Sequence, residues 1–104
     1  MANRHRGEIE AEIDGTKHTL CLTLGALAEL EASFGAEDLS ALAARFGEGR
    51  LSARDAIRIL GAGLRGAGAA IDDEQVAAMR AEGGAAGFAG IVAELLGATF
   101  GGRP

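Results

Sequence analysis

Apolar and polar residues alternate along the first part of the chain, residues 7–24. The alternation runs on either side of Asp14-Gly15, a dipeptide typical of the two-residue type I′ turn. That turn sets Ile13 opposite Thr16 and gathers the apolar residues on one face of the paired strands. The pattern predicts an antiparallel β-hairpin. Its apolar face is predicted to carry Ile9, Ala11, Ile13, Leu20, Leu22 and Leu24.

After Gly25 the apolar spacing becomes three or four residues, which is the period of an α-helix. Capping residues and glycines divide this part into four or five short helices. Asp38 can cap the second helix, which Gly47 and Gly49 end. Ser52 with Asp55, and Asp72 with Gln75, match the capping box of two further helices. In the third helix Ile57, Leu60 and Leu64 form the predicted buried stripe. In the fourth helix, which Gly83-Gly84 closes, Val76 can pack against Ile71. The apolar stripes of the other helices are Leu24, Leu27, Leu30 and Phe34 in the first, Leu39, Leu42, Ala43 and Phe46 in the second, and Phe88, Ile91, Val92, Leu95, Leu96 and Thr99 in the last.

These elements predict an α+β fold, in which an N-terminal antiparallel β-hairpin precedes four or five short α-helices packed in one small domain. A chain of 104 residues can bury one core but has little room for a second. We expect a single domain over 1–104, with the hairpin at 7–24 and the helical part at 25–100. Residues 1–6 and 101–104 are expected to be flexible tails.

Composition narrows the classes of function. The net charge of -5 argues against a nucleic-acid partner, since such proteins usually carry a basic surface. The single cysteine, Cys21, allows no internal disulfide and fits a reducing cytoplasm. No apolar run is long enough for a signal peptide or a membrane span. We therefore expect a cytoplasmic protein that binds neither nucleic acid nor membrane.

Residues 61–66 match the dinucleotide-binding pattern GxGxxG. That pattern binds a phosphate only where it joins a strand to a helix within a βαβ unit. The capping box at Ser52 instead makes the preceding segment a helix, and no second parallel strand follows. The glycines are therefore interpreted as positions of close helix packing, and no cofactor is predicted.

The other reactive side chains do not form a site either. In the hairpin register His18 and Cys21 point to opposite faces, so they cannot share a metal ion, and His5 lies in the predicted N-terminal tail. Cys21 has no neighbouring base, because Glu8 opposite it would raise a thiol pKa. We predict no metal and no catalytic residues, and hence no enzymatic activity.

Two charged rows remain as candidate partner-binding residues. One is on the polar face of the hairpin and the other on the third helix. Each row can equally be a solvated surface. The edges of a two-stranded sheet can accept a strand from another chain, and an apolar groove between short helices can accept a helix. The candidate residues are Glu8, Glu10 and Glu12 in the first row and Arg54, Arg58 and Arg65 in the second.

A family resemblance follows from the order of several segments. The hairpin is followed by the helix Leu24-Gly25-Ala26-Leu27-Ala28-Glu29-Leu30-Glu31, then by residues 49–55, the glycine-rich stretch 59–68 and a closing helix around 93–96. This order, over about residues 7–100, resembles the small tail proteins of gene transfer agents of alphaproteobacteria and related siphophages.

The resemblance implies a phage-type tail assembly chaperone, although members of this family are also labelled tail tube proteins. Such a chaperone binds the tape measure protein and the tail tube protein in the cytoplasm during tail morphogenesis, without catalysis or cofactor. The alternative is a structural tail protein, tube-associated or a connector, that stays in the particle and self-assembles. A homo-oligomer is compatible with both functions.

Overall fold

The structure, a computed structural model, describes residues 2–47 and 51–101 of the chain. It has the predicted α+β architecture, with a two-stranded antiparallel sheet followed by five helices. After a 3-10 turn at Arg4–Arg6, the strands are β1 (Glu8–Ile13) and β2 (Thr16–Cys21). The helices are α1 (Leu24–Phe34), α2 (Leu39–Gly47), α3 (Ala53–Gly66), α4 (Asp73–Ala77) and α5 (Gly84–Phe100).

The hairpin has the predicted register, with Ile13 paired to Thr16 and Glu8 to Cys21. Asp14 and Gly15 have φ values of 56° and 73°, as a type I′ turn requires. The turn is fastened to the segment after α4. The Asp14 N–H donates to the Arg80 carbonyl oxygen at 2.7 Å, and the Arg80 N–H donates to Asp14 Oδ1 at 2.8 Å.

Helix α3 lies at the centre of the core and packs against β2, α1, α4 and α5. It is buried on several sides, including Ile59, which the sequence pattern did not single out. The GxGxxG residues lie within this helix, so they form no loop between a strand and a helix. A Cβ on Gly63 would come within 2.8 Å of Leu95 Cδ2 and 3.3 Å of Leu20 Cβ. The motif therefore brings α3 close to its neighbours, as interpreted from the sequence.

The predicted capping interactions are present. The Ser52 and Asp55 pair forms a complete capping box at α3, and the Asp72 and Gln75 pair forms another at α4. At α2, Asp38 Oδ1 accepts the Ala41 N–H at 2.8 Å. Gly49, the second glycine expected to end α2, lies outside the described residues. Among the described helices, none combines the length and apolar character needed to cross a bilayer.

Three details of the sequence prediction are wrong. Leu24 and Leu39 were placed in the apolar stripes of their helices, but they are 76% and 43% exposed. For Leu24 the reason is that β2 ends at Cys21, and Thr23 then caps α1 by accepting the Ala26 N–H at 3.1 Å. Leu39 is the first residue of α2, directly after the capping residue Asp38. The fourth helix ends at Ala77 and does not continue to Gly83-Gly84, where α5 begins.

Candidate partner-binding groove

A groove of about 960 Å³ lies between α3 and α5, and its lining also includes residues of α2 and α4. We call it the apolar groove. The α3 wall contains Ala53, Ala56, Ile57 and Leu60. Ile57 is half-buried, whereas Leu60 is buried and also belongs to the core. The groove is thus a surface extension of the hydrophobic core.

Helix α5 supplies the opposite wall. Its 17 residues contain a single charge, Glu94, which does not line the groove. The exposed small residues Ala85, Ala89 and Ala93 recur every fourth position and therefore lie on one side of the helix. Half-buried larger residues stand beside them. The α5 wall comprises Ala85, Phe88, Ala89, Val92, Ala93, Leu96, Gly97 and Phe100.

One end of the groove is aromatic. The rings of Phe46 and Phe100 have centroids 6.3 Å apart. Phe34, behind them, meets Phe46 edge to face at 5.4 Å. The guanidinium of Arg45 stacks over the Phe34 ring, 4.9 Å from its centroid. These ring and cation–π contacts pack Phe34, Phe46 and Phe100 together at this end of the groove.

Polar groups are scarce among the described residues of the lining. Of these residues, Ser52 carries the only polar side chain, and none is charged. Its Oγ already accepts the Asp55 N–H at 3.1 Å. A site for a small molecule usually offers several placed polar groups to orient its ligand. The lining suits an apolar surface of another protein better.

The three candidate arginines of α3 do not line this groove. Arg65 is held within the molecule, since its guanidinium pairs with Glu29 and Asp73 and donates to the Ile71 carbonyl oxygen at 3.0 Å. Burial alone would lower the pKa of Arg65, but the hydrogen bonds to the two carboxylates raise it overall. These contacts give Arg65 a role in joining α3 to α1 and α4.

Arg58 and Arg54 differ in their surroundings. The half-buried Arg58 donates to the Ser33 carbonyl oxygen at 3.5 Å, and its guanidinium lies 5.6 Å from the centroid of the Phe34 ring. Arg54 is exposed. Partner binding by these arginines stays a prediction, for which Arg54 is the most accessible of the three.

The acidic row occupies the polar face of β1. Glu10 and Glu12 are exposed, whereas Glu8 is half-buried and accepts the Asn3 N–H at 2.9 Å. The Arg6 guanidinium is 3.9 Å from the Glu8 carboxylate. A partner-binding role of the row therefore also remains a prediction.

Cys21 lies beside this row. Its thiol donates to the Arg6 carbonyl oxygen at 3.6 Å. Burial, and then the negative charge of Glu8, raise the pKa of the Cys21 thiol, and the positive charge of Arg6 offsets part of this rise. A protonated thiol is a poor nucleophile, so the surroundings of Cys21 do not activate it.

Comparison with known proteins gives one match over most of the chain. Residues 6–102 match the family described as "Phage tail tube protein, GTA-gp10". The chain belongs to this family. No curated protein and no solved structure matches it.

Membership confirms the resemblance read from the sequence and makes the chain a phage tail-related protein of the gene transfer agent type. Sequence reasoning predicted that a groove between short helices could bind a partner, but it did not identify the residues of the apolar groove. The composition of α5 pointed to them, because its 17 residues carry a single charge. A helix that is apolar nearly all round normally has partners on more than one side.

Proposed function

We propose that this GTA-gp10 family member acts as a tail assembly chaperone, binding the tape measure protein and the tail tube protein in the bacterial cytoplasm while a tail is built. The observation that carries the proposal is the apolar groove. The groove has a volume of about 960 Å³, lies beside the hydrophobic core, and is lined by described residues that carry no charge.

The groove fits the apolar face of a helix. Helix-in-groove binding places apolar side chains at positions i, i+3, i+4 and i+7 of the partner into such a surface. The small residues at Ala85, Ala89 and Ala93 give that helix room, while Phe88 and Leu96 supply larger contacts. Each leucine-sized side chain that becomes fully buried contributes about 1.5–3 kcal/mol. A tape measure protein with long apolar helices is the partner that would gain most from such shielding before assembly.

Co-expression tests this proposal. The chain and the tape measure protein encoded with it are produced together, and the tape measure protein recovered with the tagged chain is quantified. Ala89→Glu puts a charge into the groove, so we expect recovery to fall about tenfold or more. Ala86→Glu is the matched control, because Ala86 is exposed on the same helix but does not line the groove.

Two results would contradict the proposal. One is the failure of the native chain to recover any tape measure protein. The other is equal recovery by both glutamate variants, which would place the contact elsewhere.

The second candidate is a structural tail protein, and the family description "Phage tail tube protein" favours it. Such a protein assembles with itself or with the tube and remains in the particle. Mass spectrometry of purified particles separates the candidates. A chaperone would be absent from them or present in trace amounts, whereas a tube or connector protein would be present in stoichiometric amounts.

A further inference from the structure

A second hollow, of about 610 Å³, lies beside the first turns of α1 and α2. It shares no lining residue with the apolar groove. We call it the acidic hollow, and its relevant residues are Leu24, Ala28, Glu31, Glu37, Asp38 and Leu39.

Its lining includes two leucines that are unusually exposed. Among the described residues, Leu24 and Leu39 are the two large apolar side chains that remain exposed, at 76% and 43%. Leu24 opens α1 and Leu39 opens α2, so they are far apart in sequence but line one surface. Single exposed leucines are common on protein surfaces, but here two leucines from different helices line one hollow.

Three carboxylates line the hollow. Glu37 and Asp38 are exposed, and Glu31 is half-buried. None of the ion pairs formed within the described residues involves these three carboxylates, although Asp38 also caps α2 through the Ala41 N–H. The described residues that line the hollow include no lysine or arginine. Exposed leucines beside carboxylates are complementary to an apolar side chain flanked by positive charges.

We propose that the acidic hollow is a docking site for a basic amphipathic helix of a partner protein, with a leucine-sized side chain on the two leucines and a lysine or arginine beside the carboxylates. Nucleic acid and anionic lipid do not fit, because their phosphates would face the carboxylates. The inference does not depend on the contents of the apolar groove.

The test uses the full isotope-labelled chain and a synthetic helical peptide built of leucine and lysine, followed by NMR. We expect saturable amide shifts in the first turns of α1 and α2, weakened as sodium chloride rises from about 20 to about 300 mM. Two further peptides serve as probes. The one with glutamate in place of lysine, and the one with alanine in place of leucine, should each bind at least about tenfold more weakly.

Variants of the chain locate the site. Leu24→Ser should lower the affinity for the leucine–lysine peptide about tenfold, and its exposed position leaves the core intact. The double variant Glu31→Gln, Glu37→Gln should remove most of the salt dependence. Ala32→Ser, exposed on α1 outside the hollow, is the matched control and should bind as the native chain does.

Three outcomes would overturn the proposal. They are the absence of saturable shifts in α1 and α2, equal binding of the leucine–glutamate peptide, and unchanged affinity in Leu24→Ser. If the native chain alone proves to be a dimer that Leu24→Ser dissociates, the occupant is a second copy and the proposed partner is wrong.

Discussion

A Cβ atom on Gly66 would overlap the carbonyl oxygen of Cys21, so the end of α3 meets the end of β2 backbone to backbone. No other amino acid fits this contact without moving one of the two elements. The hairpin is thereby held against the central helix at its open end, while its turn is held by Arg80. A two-stranded sheet is marginal by itself in water, so these attachments stabilise it.

Gly66→Ala should therefore destabilise the protein, although alanine normally favours a helix. Overpacking of this kind costs about 1–3 kcal/mol, which we expect as a lower free energy of unfolding in urea. The control is Gly90→Ala in α5, where a Cβ would meet no atom within 4 Å. That variant should gain about 0.5–1 kcal/mol. A Gly66→Ala protein as stable as the Gly90→Ala protein would contradict the close contact.

The capping box of α3 supports a second prediction. Ser52 Oγ accepts the Asp55 N–H at 3.1 Å, and Asp55 Oδ2 accepts the Ser52 N–H at 3.2 Å. Ser52→Ala removes the first bond and should lower the free energy of unfolding by about 1 kcal/mol. Ser33→Ala, exposed within α1, should cause no loss. Equal urea midpoints for both variants would show that the box does not hold α3.

Features set by neighbouring residues could be predicted from the sequence. The Asp14-Gly15 turn fixed the register of the hairpin, and Ser52 and Asp72 marked the starts of α3 and α4. These signals act over a few residues, so no tertiary information is needed. The placement of Leu24 was wrong because its spacing fitted both the apolar face of the strand and the apolar stripe of the helix. In the structure Thr23 caps α1, so Leu24 is the first residue of the helix and is exposed.

The two proposed binding surfaces depend on contacts between distant segments. The apolar groove needs residues 43–47 and 85–100 beside α3, and the acidic hollow needs Leu24 beside Leu39. Periodicity shows that a helix has an apolar face but not whether a neighbour covers it. Periodicity also did not show that α3 is buried on several sides. Several of its buried residues are glycine or alanine, which add little to an apolar stripe.

A third prediction concerns Arg65, which joins α3 to Glu29 of α1 and Asp73 of α4. Arg65→Met keeps much of the side chain's length but removes both ion pairs. Because all three side chains are partly exposed, we expect a loss of only about 1 kcal/mol in low salt. The difference from the native chain should shrink in about 1 M sodium chloride, where the charges are screened.

Arg54→Met is the control for Arg65, since Arg54 is exposed on the same helix and forms none of the ion pairs of the described residues. Its stability should match that of the native chain at both salt concentrations. If the two variants lose the same stability, or if the Arg65→Met difference grows with salt, the ion pairs do not join these helices.

The last prediction concerns the reactivity of Cys21. Burial, followed by the charge of Glu8, raises the thiol pKa, so less thiolate is present in the folded chain at a given pH than in an unperturbed cysteine. Reaction of Cys21 with a disulfide reagent should be slow at neutral pH. The midpoint of the pH dependence of its rate should lie at higher pH in the folded chain than in the urea-unfolded chain. Glu8→Gln removes the negative charge and should move the midpoint to lower pH. Glu12→Gln, on the same face but paired with Lys17 near the turn, should leave it unchanged. Equal shifts in both variants would show that overall charge, and not the Glu8 contact, controls the thiol.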